Sequence, residues 1–386
     1  MSRIELIIGN GDETRKISFP CKDSQMQEIC DSISVTETAA KIVRVITPNS
    51  FSLLNGKAVD LDEINYLAKR VNEFNERDRL CFFAATETEK YTTPKDLINL
   101  ACNIKCYTLI SDVSSFGSIG YNYLISQEEY VSDKDLRNKD FEKIGKELLD
   151  SGLGQTTSYG LLFKNRDTAF VEYYDGHSGF PLLWFNKGDV FRLNLEFDRK
   201  HAYVAFPGET IEVDKALKRI GAASINKCGI YVETYSEDRT WEDIFEDLIR
   251  DGELDKANEL AEAISPVGMN YKDVPERMAK ISAVMDYAET SDTDDIIKLA
   301  RNLDEFGYIG GVYDGNSLGK QLMQNAGYNI PSEIDEYIEY SRYGQTFMRE
   351  YNGQFVGYCK FVYMKNSDIT LDDILDKNTL SMEEIQ

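Results

Sequence analysis

Five short motifs of the first half of the chain return in the second half in the same order, and this constrains the fold more than any other feature. The separation between matching motifs rises from 187 to 199 residues and the order never reverses. The sequence therefore predicts an internal duplication, and the alternative is two similar modules that match by chance. The matching pairs are Phe19-Pro20 with Phe206-Pro207, Ile42-Val43 with Ile230-Tyr231, LDEINYLA (61–68) with LDKANELA (254–261), KDLINLACNI (95–104) with DDIIKLARNL (294–303), and Ile119-Gly120 with Leu318-Gly319.

Within the repeated region, the hydrophobic pattern switches between strand and helix periods. Residues 3–8 and 16–19 flank Asn10-Gly11, which is typical of a β-hairpin. Apolar residues recur at helical spacing in residues 60–74 and again in 95–103. The sequence therefore predicts an α+β fold, built from small α/β modules.

We predict an elongated, multi-domain chain of four segments. Residues 1–128 form an N-terminal α+β module, and residues 191–328 form a second module that repeats it. Between them, residues 129–190 contain a helix and an antiparallel meander. Residues 329–386 contain a helix, a strand and an acidic tail.

Two of these segments carry more detailed predictions. In the connecting segment, three apolar runs separated by turn residues, 161–163, 168–174 and 181–185, are expected to be the strands of the meander. In the last segment, residues 331–349 are expected to form one helix and residues 354–364 one strand.

The charge balance restricts the partners of this chain. Its formal net charge is −24, and the second half carries most of it. Residues 1–190 hold 22 basic and 29 acidic side chains, which leaves −7, whereas residues 191–386 hold 21 and 38, which leaves −17. Such a surface repels nucleic acid and anionic membranes and favours basic partners. The alternative interpretation is that the acidity only supports solubility.

The cysteines and the apolar runs indicate the compartment. The seven cysteines are an odd number and include no CxxC pair, which is typical of a reduced, cytoplasmic protein. The N-terminal residues lack the apolar core of a signal peptide, and no run of about 18 apolar residues predicts a transmembrane helix.

The most acidic stretch of the chain is residues 236–262. From residue 237 onwards it holds eleven acidic and three basic side chains. Its apolar residues recur at helical spacing and predict a helix with one buried stripe, Trp241, Ile244, Phe245 and Leu248. Like charges four residues apart destabilise a helix by a few tenths of a kcal/mol per pair. The acidic face is therefore either merely solvated or displayed to a basic partner.

Catalytic and cofactor sites are poorly supported by the sequence. His177 could pair with Asp175 and Ser178 in a hydrolase, but no G-x-S-x-G elbow is present, and residues this close in sequence rarely form a triad. The glycine-rich segments continue into neither a GxxxxGK[ST] nor a GxGxxG pattern, so they are expected to form turns. We therefore expect neither enzymatic activity nor a cofactor.

Metal binding is also not expected. Cys102 and Cys106 lack a second Cys or His pair at zinc spacing and are expected to be buried thiols. The acidic residues Asp292, Asp294 and Asp295 lack the EF-hand pattern, and we expect them to stabilise a helix N-terminus.

The C-terminal sequence LGKQLMQNAG (318–327), IPSEIDEYIEYSRYGQTFM (330–348) and GYCKFVY (357–363) resembles the ArdA antirestriction proteins. A weaker resemblance to long ArdA-like proteins of Firmicutes mobile elements and phages covers LDEINYLAKRVNEF (61–74) and PKDLINLA (94–101). The matching motif positions are Leu318, Gly319, Ile330, Pro331, Tyr337, Ile338, Glu339, Tyr340, Tyr343 and Gly344. Of these, Leu318, Gly319 and Ile338 are expected to serve packing, and Tyr337, Tyr340, Tyr343 and Gly344 packing or dimer contacts.

The resemblance implies DNA mimicry. ArdA-type proteins are acidic, elongated, usually dimeric proteins that occupy the DNA-binding groove of Type I restriction–modification complexes. Duplex DNA carries about one negative charge per 1.7 Å of axis, and carboxylates spaced along helices can imitate such a charge row. The residues expected to form the mimic surface are Glu237, Asp238, Glu242, Asp243, Glu246, Asp247, Asp251, Glu253, Asp255, Glu333, Asp335, Glu336 and Glu339. In the C-terminal helix, Ile334 and Ile338 are expected to face inward.

The sequence thus favours an antirestriction protein whose partner is the basic groove of a host defence complex, without direct nucleic-acid or membrane binding. A CRISPR effector or another nucleic-acid-handling defence enzyme is an alternative target. An acidic scaffold that joins protein partners without mimicry, or a hydrolase that uses His177, are alternative functions. This chain is also about twice the length of compact family members, so the duplication could replace part of the dimer interface of that family.

Overall fold

The chain begins with the hairpin that the sequence predicts. In this computed structural model, β1 (Ile4–Gly9) pairs antiparallel with β2 (Thr14–Phe19), so that Leu6 lies opposite Ile17. The other edge of β1 pairs with β3 (Ala40–Thr47), and β4 (Ala58–Val59) completes a four-stranded sheet in the order β2-β1-β3-β4. Alternate side chains of β1 are buried, as expected for a sheet with one covered face.

The structure describes residues 3–11, 13–127, 139–165, 168–183, 188–236, 238–266, 269, 273–366 and 368–376. The chain divides into two compact units. The first consists of Met1–Trp184, Glu196–Tyr203 and Ile211–Ser224, and the second of Phe185–Leu195, Val204–Thr210 and Ile225–Gln386.

Four helices pack in the first unit near this sheet: α1 (Asp23–Asp31), α2 (Leu61–Glu73), α3 (Glu76–Thr88) and α4 (Pro94–Cys102). Local sequence explains where α2 and α4 begin. Asp60 accepts a hydrogen bond from the backbone N–H of Asp62, and Thr93 forms a capping box with Asp96. Every apolar residue of the stripe predicted for α2 is buried: Leu61, Ile64, Leu67, Ala68 and Val71.

A second sheet of the first unit has the strand order β5-β7-β6, with β5 (Tyr107–Ile110), β6 (Gly154–Thr157) and β7 (Gly160–Lys164). Two helices, α5 (Phe116–Gln127) and α6 (Phe141–Asp150), lie beside it. Ile119 and Leu148 from these helices join the small apolar cluster of Ile110, Leu161 and Phe163.

The predicted meander is only partly correct. Residues 161–163 lie in β7, but residues 168–183 belong to no strand, and the rest of the predicted run lies outside the described residues. Residues 169–174 are held by side chains of α4 instead of a neighbouring strand. Asn99 accepts hydrogen bonds from the N–H groups of Tyr173 and Tyr174. The alternation of large apolar residues therefore reflects a segment lying on a helix.

Helix α7 (Ile211–Ile220) is fixed in the first unit by charged side chains with little exposure. The Lys215 Nζ contacts one carboxylate oxygen each of Asp23, Glu37 and Asp62, at 2.8, 2.8 and 2.9 Å. Arg219, one turn further along, bonds to Asp62 at 3.2 Å and to Asp60 at 3.1 Å. Sequence reasoning gave no sign of this network, because its partners lie more than 150 residues apart.

Further along the chain, β8 (Phe191–Phe197), β9 (Lys200–Phe206) and β10 (Gly229–Thr234) form a sheet in the order β10-β8-β9. Four helices follow along the chain: α8 (Thr240–Arg250), α9 (Leu254–Ile264), α10 (Val274–Ala288) and α11 (Thr293–Arg301). The Asp292 carboxylate caps α11 by accepting from the N–H groups of Asp294 and Asp295, so the expected helix-terminal role of this cluster is confirmed.

The last part of the second unit corrects two predictions. Residues 331–349 are not one helix, because α13 (Ser332–Asp335) ends in a turn before α14 (Tyr340–Glu350) begins. Residues 354–364 are not one strand, because Gly357 and Cys359, both with positive φ, form a turn between β12 (Gln354–Val356) and β13 (Lys360–Met364). The sheet is completed by β11 (Phe306–Gly310), in the order β11-β13-β12. Helix α12 (Gly315–Asn325) follows β11, and a short helix, α15 (Leu371–Ile374), lies near the end.

The order of elements in the first half recurs in the second. The sheet order β2-β1-β3 returns as β9-β8-β10, and β5-β7-β6 returns as β11-β13-β12. Helix α8 is an addition, since the corresponding part of the first half forms a 3-10 segment (Asn49–Leu54) and β4. A duplication would produce this recurrence; the duplication and the four-segment division stay predictions. Small sheets packed with helices confirm the α+β fold class. Among the described helices, none is both long and apolar enough to cross a membrane.

Candidate partner-binding surface

Helix α8 is anchored by its apolar side. The ring of Phe245 stacks on Phe191 with centroids 4.1 Å apart, and Phe191 stacks on Phe206 at 4.6 Å. Trp241 is buried beside Phe245, and its indole N–H donates to the Ser282 hydroxyl at 3.0 Å. The predicted stripe is buried at Trp241, Phe245 and Leu248 and half-buried at Ile244. This packing holds the opposite, acidic side of the helix in a fixed orientation.

Four aspartates recur every four residues in the sequence, from α8 across the turn at Gly252 into the first turn of α9. Asp243 and Asp247 lie on α8, Asp251 caps its C-terminus, and Asp255 lies in the first turn of α9. All four are exposed. Within the described part of the chain, none of their carboxylates forms an ion pair or a hydrogen bond. We call these four residues the aspartate row.

The glutamates of the same stretch are partly neutralised. Glu242 lies 3.6 Å from Arg239, and Glu246 lies 3.2 Å from Arg250 and also accepts a hydrogen bond from the N–H of Val232. Surface pairs of this kind contribute about 0–1 kcal/mol. A cationic side chain of a partner can therefore replace either arginine at little cost in free energy.

Basic side chains also form ion pairs at α9. Lys256 lies 3.9 Å from Glu253 and 2.9 Å from Asp294, and the hydrogen bond to Asp294 raises the lysine pKa. Arg301 pairs with Glu259 at 2.9 Å. The basic residues of the stretch thus bind glutamates and Asp294, and leave the aspartate row to solvent.

The carboxylate of Asp238, at the N-terminal end of the predicted mimic surface, forms hydrogen bonds, unlike those of the aspartate row. Asp238 accepts hydrogen bonds from the hydroxyl and the N–H of Thr240, and the hydroxyl bond in particular lowers the Asp238 pKa. It therefore shapes the entry to α8 as well as carrying charge. Glu237 lies outside the described residues.

The C-terminal carboxylates fall into two groups. Glu333, Glu336 and Glu339 are exposed. Asp335 is not displayed in the same way, because it accepts from the Tyr340 hydroxyl at 2.7 Å and from Lys320 at 2.9 Å. The tyrosine bond, followed by the lysine bond, lowers the Asp335 pKa. Asp335 therefore links α12, α13 and α14, and we leave it out of the proposed contact surface.

The side-chain orientations predicted for the C-terminal helix are partly wrong. Ile334 is 50% exposed instead of facing inward, because the helix breaks after Asp335. Ile338 is half-buried. Tyr337 and Tyr343, expected to pack or to contact a second copy, are exposed at 77% and 42%.

The glycines of the family-like motif have a clear structural reason. Leu318 and Tyr340 are buried, and Gly319 and Gly344 bring the backbones of α12 and α14 into contact. A Cβ on either glycine would lie 2.0 Å from a carbonyl oxygen of the other helix. Gly120 and Gly145 make the same crossing between α5 and α6, each 199 residues earlier in the chain.

The histidine site has the geometry of a turn. Asp175 Oδ1 accepts from the N–H of His177 at 2.8 Å and from the hydroxyl of Ser178 at 2.8 Å. These hydrogen bonds, with the His177 N–H as the largest contribution, lower the pKa of Asp175 to about 2. The serine hydroxyl thus donates to the aspartate, which is not the serine–histidine–aspartate order that nucleophile activation requires.

Cys106 is buried as expected, whereas Cys102 is only half-buried. Burial raises the pKa of Cys102 and of Cys106, and both thiols are free. Among the residues that the structure describes, no three His, Cys, Asp or Glu side chains are grouped so as to hold a metal ion.

Sequence reasoning located the exposed aspartates but missed how their neighbours are paired. The i,i+3 spacing of Arg239 and Glu242 and the i,i+4 spacing of Glu246 and Arg250 could have revealed two of these pairs. The pairs made by Arg301 and Lys320 are long-range and have no local signal. Comparison with known protein-family models and with curated proteins finds no match to this chain.

Proposed function

We propose that this protein is a non-enzymatic DNA mimic, which inhibits a host defence complex by occupying its basic DNA-binding groove. The observation that carries the proposal is the aspartate row, Asp243, Asp247, Asp251 and Asp255. These carboxylates are exposed and have no partner among the described residues, on a helix pair whose other side is buried. The family resemblance of the C-terminal sequence makes a Type I restriction–modification enzyme the first target to test.

The charge spacing supports this proposal semi-quantitatively. Four residues of α-helix rise about 6 Å, whereas one DNA strand places a phosphate about every 3.4 Å along its axis. Asp243 and Asp247, four residues apart on α8, therefore carry a lower charge density than DNA. Glu242 and Glu246, which lie on the same helix in weak surface pairs, raise that density once a partner's cations replace their arginines.

Rigidity supports the proposal as well. Because Trp241 and Phe245 are buried, Asp243 and Asp247 are held on a packed helix before the partner arrives. An ordered ligand loses less conformational entropy on binding than a disordered acidic tail of equal charge.

Displacement of DNA is the direct test. A Type I restriction–modification enzyme bound to labelled duplex DNA is titrated with the wild-type protein and with the variant Asp243→Asn, Asp247→Asn, Asp251→Asn, Asp255→Asn. We expect the wild type to displace the DNA and this variant to need at least tenfold higher concentration. A matched control removes four exposed carboxylates of the first unit, with Glu28→Gln, Asp31→Asn, Glu142→Gln and Asp150→Asn.

The control separates position from total charge. Equal weakening by both variants would mean that net charge alone acts, as an acidic scaffold predicts. Failure of the wild type to displace DNA from any tested enzyme of this class would contradict the proposed target. A CRISPR effector or another nucleic-acid-handling defence enzyme would then be tested in the same assay.

The exposed tyrosines near the C-terminus bear on the oligomeric state. Tyr337 and Tyr343 remain our proposed dimer contacts, since large exposed aromatic side chains are enriched at protein interfaces. Sedimentation velocity of the wild type beside Tyr337→Ser, Tyr343→Ser measures this, and a monomeric wild type would contradict it.

A further inference from the structure

In both units, the chain leaves the last strand of the three-stranded sheet at the same place. After β7, the N–H of Asn165 donates to the carbonyl of Cys106 at 2.8 Å. After β13, the N–H of Lys365 donates to the carbonyl of Glu305, also at 2.8 Å. Each segment then returns along a helix of its own unit, α4 in the first and α11 in the second.

In the first unit, two asparagines four residues apart form hydrogen bonds with the backbone of this returning segment. Asn103 accepts from the N–H of Val171 at 2.8 Å and donates to its carbonyl at 2.7 Å. Asn99 does the same for Tyr174, at 3.0 and 2.8 Å. Paired amide contacts of this kind fix an extended peptide independently of its side chains. Tyr174 is fully buried at the end of the segment.

In the second unit, Lys298 replaces the first asparagine. The matching motifs KDLINLACNI and DDIIKLARNL place Lys298 where α4 has Asn99, and Asn302 where α4 has Asn103. The Lys298 Nζ donates to the carbonyl of Leu375 at 3.2 Å and lies 3.5 Å from the Asp376 carboxylate. Ile374 and Leu375 are 8% and 3% exposed, so the returning segment is seated through an apolar pair.

The two segments also share a sequence pattern. Residues 172–175 read Glu-Tyr-Tyr-Asp and residues 373–376 read Asp-Ile-Leu-Asp, which is acidic–apolar–apolar–Asp in both. The third residue of each pattern has its carbonyl bound by the equivalent position of the helix, Asn99 or Lys298. The two patterns therefore share one contact, between the carbonyl of the third residue and the equivalent helix position.

In the second unit, the side-chain amide of Asn302 forms no hydrogen bond with the returning segment among the described residues. Asn302 donates to the carbonyl of Lys298 at 2.9 Å, as Asn103 donates to that of Asn99 at 2.8 Å, so both amides are held in the same way. Asn302 is exposed, and its side-chain Oδ1 accepts no hydrogen bond from any described residue. In contrast, Asn103 is buried beneath Val171.

We propose that Lys298 on α11 and Asn302, the residue that follows this helix, form a docking groove for an extended peptide with the pattern acidic–apolar–apolar–Asp. The chain's own residues 368–376, which carry this pattern at 373–376, occupy this groove as a detachable strap. An extended partner peptide contacts Asn302 in addition to Lys298, as the segment of the first unit contacts both of its asparagines. The strap includes one short helical turn, α15. Of Lys298 and Asn302, only Lys298 forms a hydrogen bond with it among the described residues.

The test uses the full chain with its strap disabled by Ile374→Glu and Leu375→Glu. Two fluorescent peptides are titrated by anisotropy: residues 368–376, which is the strap, and residues 168–176, which is the extended segment of the first unit. We expect both to bind the variant at least tenfold more tightly than they bind the wild type, whose groove is filled at high effective concentration. Lys298→Ala in the variant is expected to weaken both peptides at least fivefold.

Asn302→Ala distinguishes the two modes of docking. It is expected to weaken the extended peptide several-fold and to leave the strap peptide unchanged. A peptide with both apolar positions changed to Glu is the negative control. Absence of binding to the folded strap variant, or equal binding before and after Lys298→Ala, would overturn the proposal.

A second measurement covers the case in which the strap variant does not fold. In the otherwise wild-type chain, Lys298→Ala is expected to speed hydrogen exchange of the Ile374 and Leu375 amides at least tenfold. These amides donate to the carbonyls of Thr370 and Leu371. The amides of β13 serve as internal controls and are expected to keep their protection. Unchanged exchange at Ile374 and Leu375 would show that the segment is an integral part of the unit and not a strap.

Discussion

Gly319 lies so close to the carbonyl oxygen of Tyr340 that a Cβ on this glycine would be 2.0 Å away from it. The reciprocal contact joins Gly344 to Gly315 at the same distance, so α12 and α14 touch through their backbones. This crossing places Tyr340 where its hydroxyl reaches Asp335. The most family-like motif of the chain is thus a packing device, and it fixes where the C-terminal carboxylates lie.

Gly319→Ala is therefore expected to destabilise the second unit. The added methyl cannot be accommodated without separating the helices, and overpacking of this kind costs about 1–3 kcal/mol or more. Urea denaturation and hydrogen exchange of α12 measure the effect. Gly117→Ala is the control, since a Cβ at Gly117 would meet only side-chain atoms at 3.6 and 3.7 Å. Equal stability of the two variants would contradict the close crossing.

Lys215→Met is expected to be strongly destabilising in the first unit. Burial alone lowers the lysine pKa, but its hydrogen bonds to Asp23, Glu37 and Asp62 outweigh this effect and raise the pKa above its ordinary value. Removing the lysine leaves three weakly exposed carboxylates without their shared cation, which costs about 3 kcal/mol. Lys218→Met, at an exposed position of the same helix, is expected to change stability by less than about 0.5 kcal/mol. Denaturant unfolding of both variants provides the comparison.

The turn at Asp175 is expected to be acid-sensitive only at low pH. Its folded pKa of about 2 lies below the value of about 3.9 for a free aspartate. A depressed carboxyl pKa means that the stabilisation is present above the unfolded pKa and is lost as the pH falls through the folded one. Carbon-detected NMR titration of the carboxyl measures the midpoint. His177→Ala is expected to preserve the low midpoint, because the N–H at residue 177 remains, whereas Ser178→Ala is expected to raise it.

The same His177→Ala variant tests the hydrolase alternative. We expect its inhibitory activity to equal that of the wild type, since the imidazole supplies no hydrogen bond to Asp175 or Ser178 in this turn. Loss of function in a folded His177→Ala protein would instead support a catalytic role for the histidine.

The Phe245→Ala variant is expected to lower the stability of the core around α8 and, as a consequence, to weaken partner binding. Phe245 is fully buried in the stack with Phe191, and its truncation costs about 3–5 kcal/mol. Because α8 carries Asp243 and Asp247 on its other side, loosening the helix is expected to weaken inhibition without changing the net charge. Hydrogen exchange of α8 and the DNA-displacement assay measure the two effects. Full inhibition by a variant with a loosened α8 would show that rigidity is unimportant.

Sequence patterns predicted the elements whose determinants are local. The stripe of α2, the capping aspartate Asp292 and the buried side of α8 follow from helical spacing and cap chemistry. The same spacing placed Asp243 and Asp247 on the exposed side. These features need only neighbours within one or two helical turns.

The predictions that the structure does not follow concern residues whose contacts lie far away in the sequence. Residues 168–174 have the composition of a strand, but Asn99 on α4 and Asn103 at its C-terminus bind backbone groups of Val171, Tyr173 and Tyr174 in place of a neighbouring strand. Asp335 has the spacing of a displayed carboxylate, but Lys320 and Tyr340 engage it. No single-sequence pattern reports these contacts, because they depend on how separate helices cross.

The most direct test of the central claim is the salt dependence of binding between this protein and a Type I restriction–modification enzyme. Mimicry of DNA predicts that affinity falls steeply between about 50 and 200 mM salt, as it does for proteins bound to DNA phosphates. It also predicts a shallower slope when Asp243, Asp247, Asp251 and Asp255 are changed to Asn, and the wild-type slope for the charge-matched control. Affinity that is independent of salt, or a slope unaffected by these four substitutions, would contradict the account.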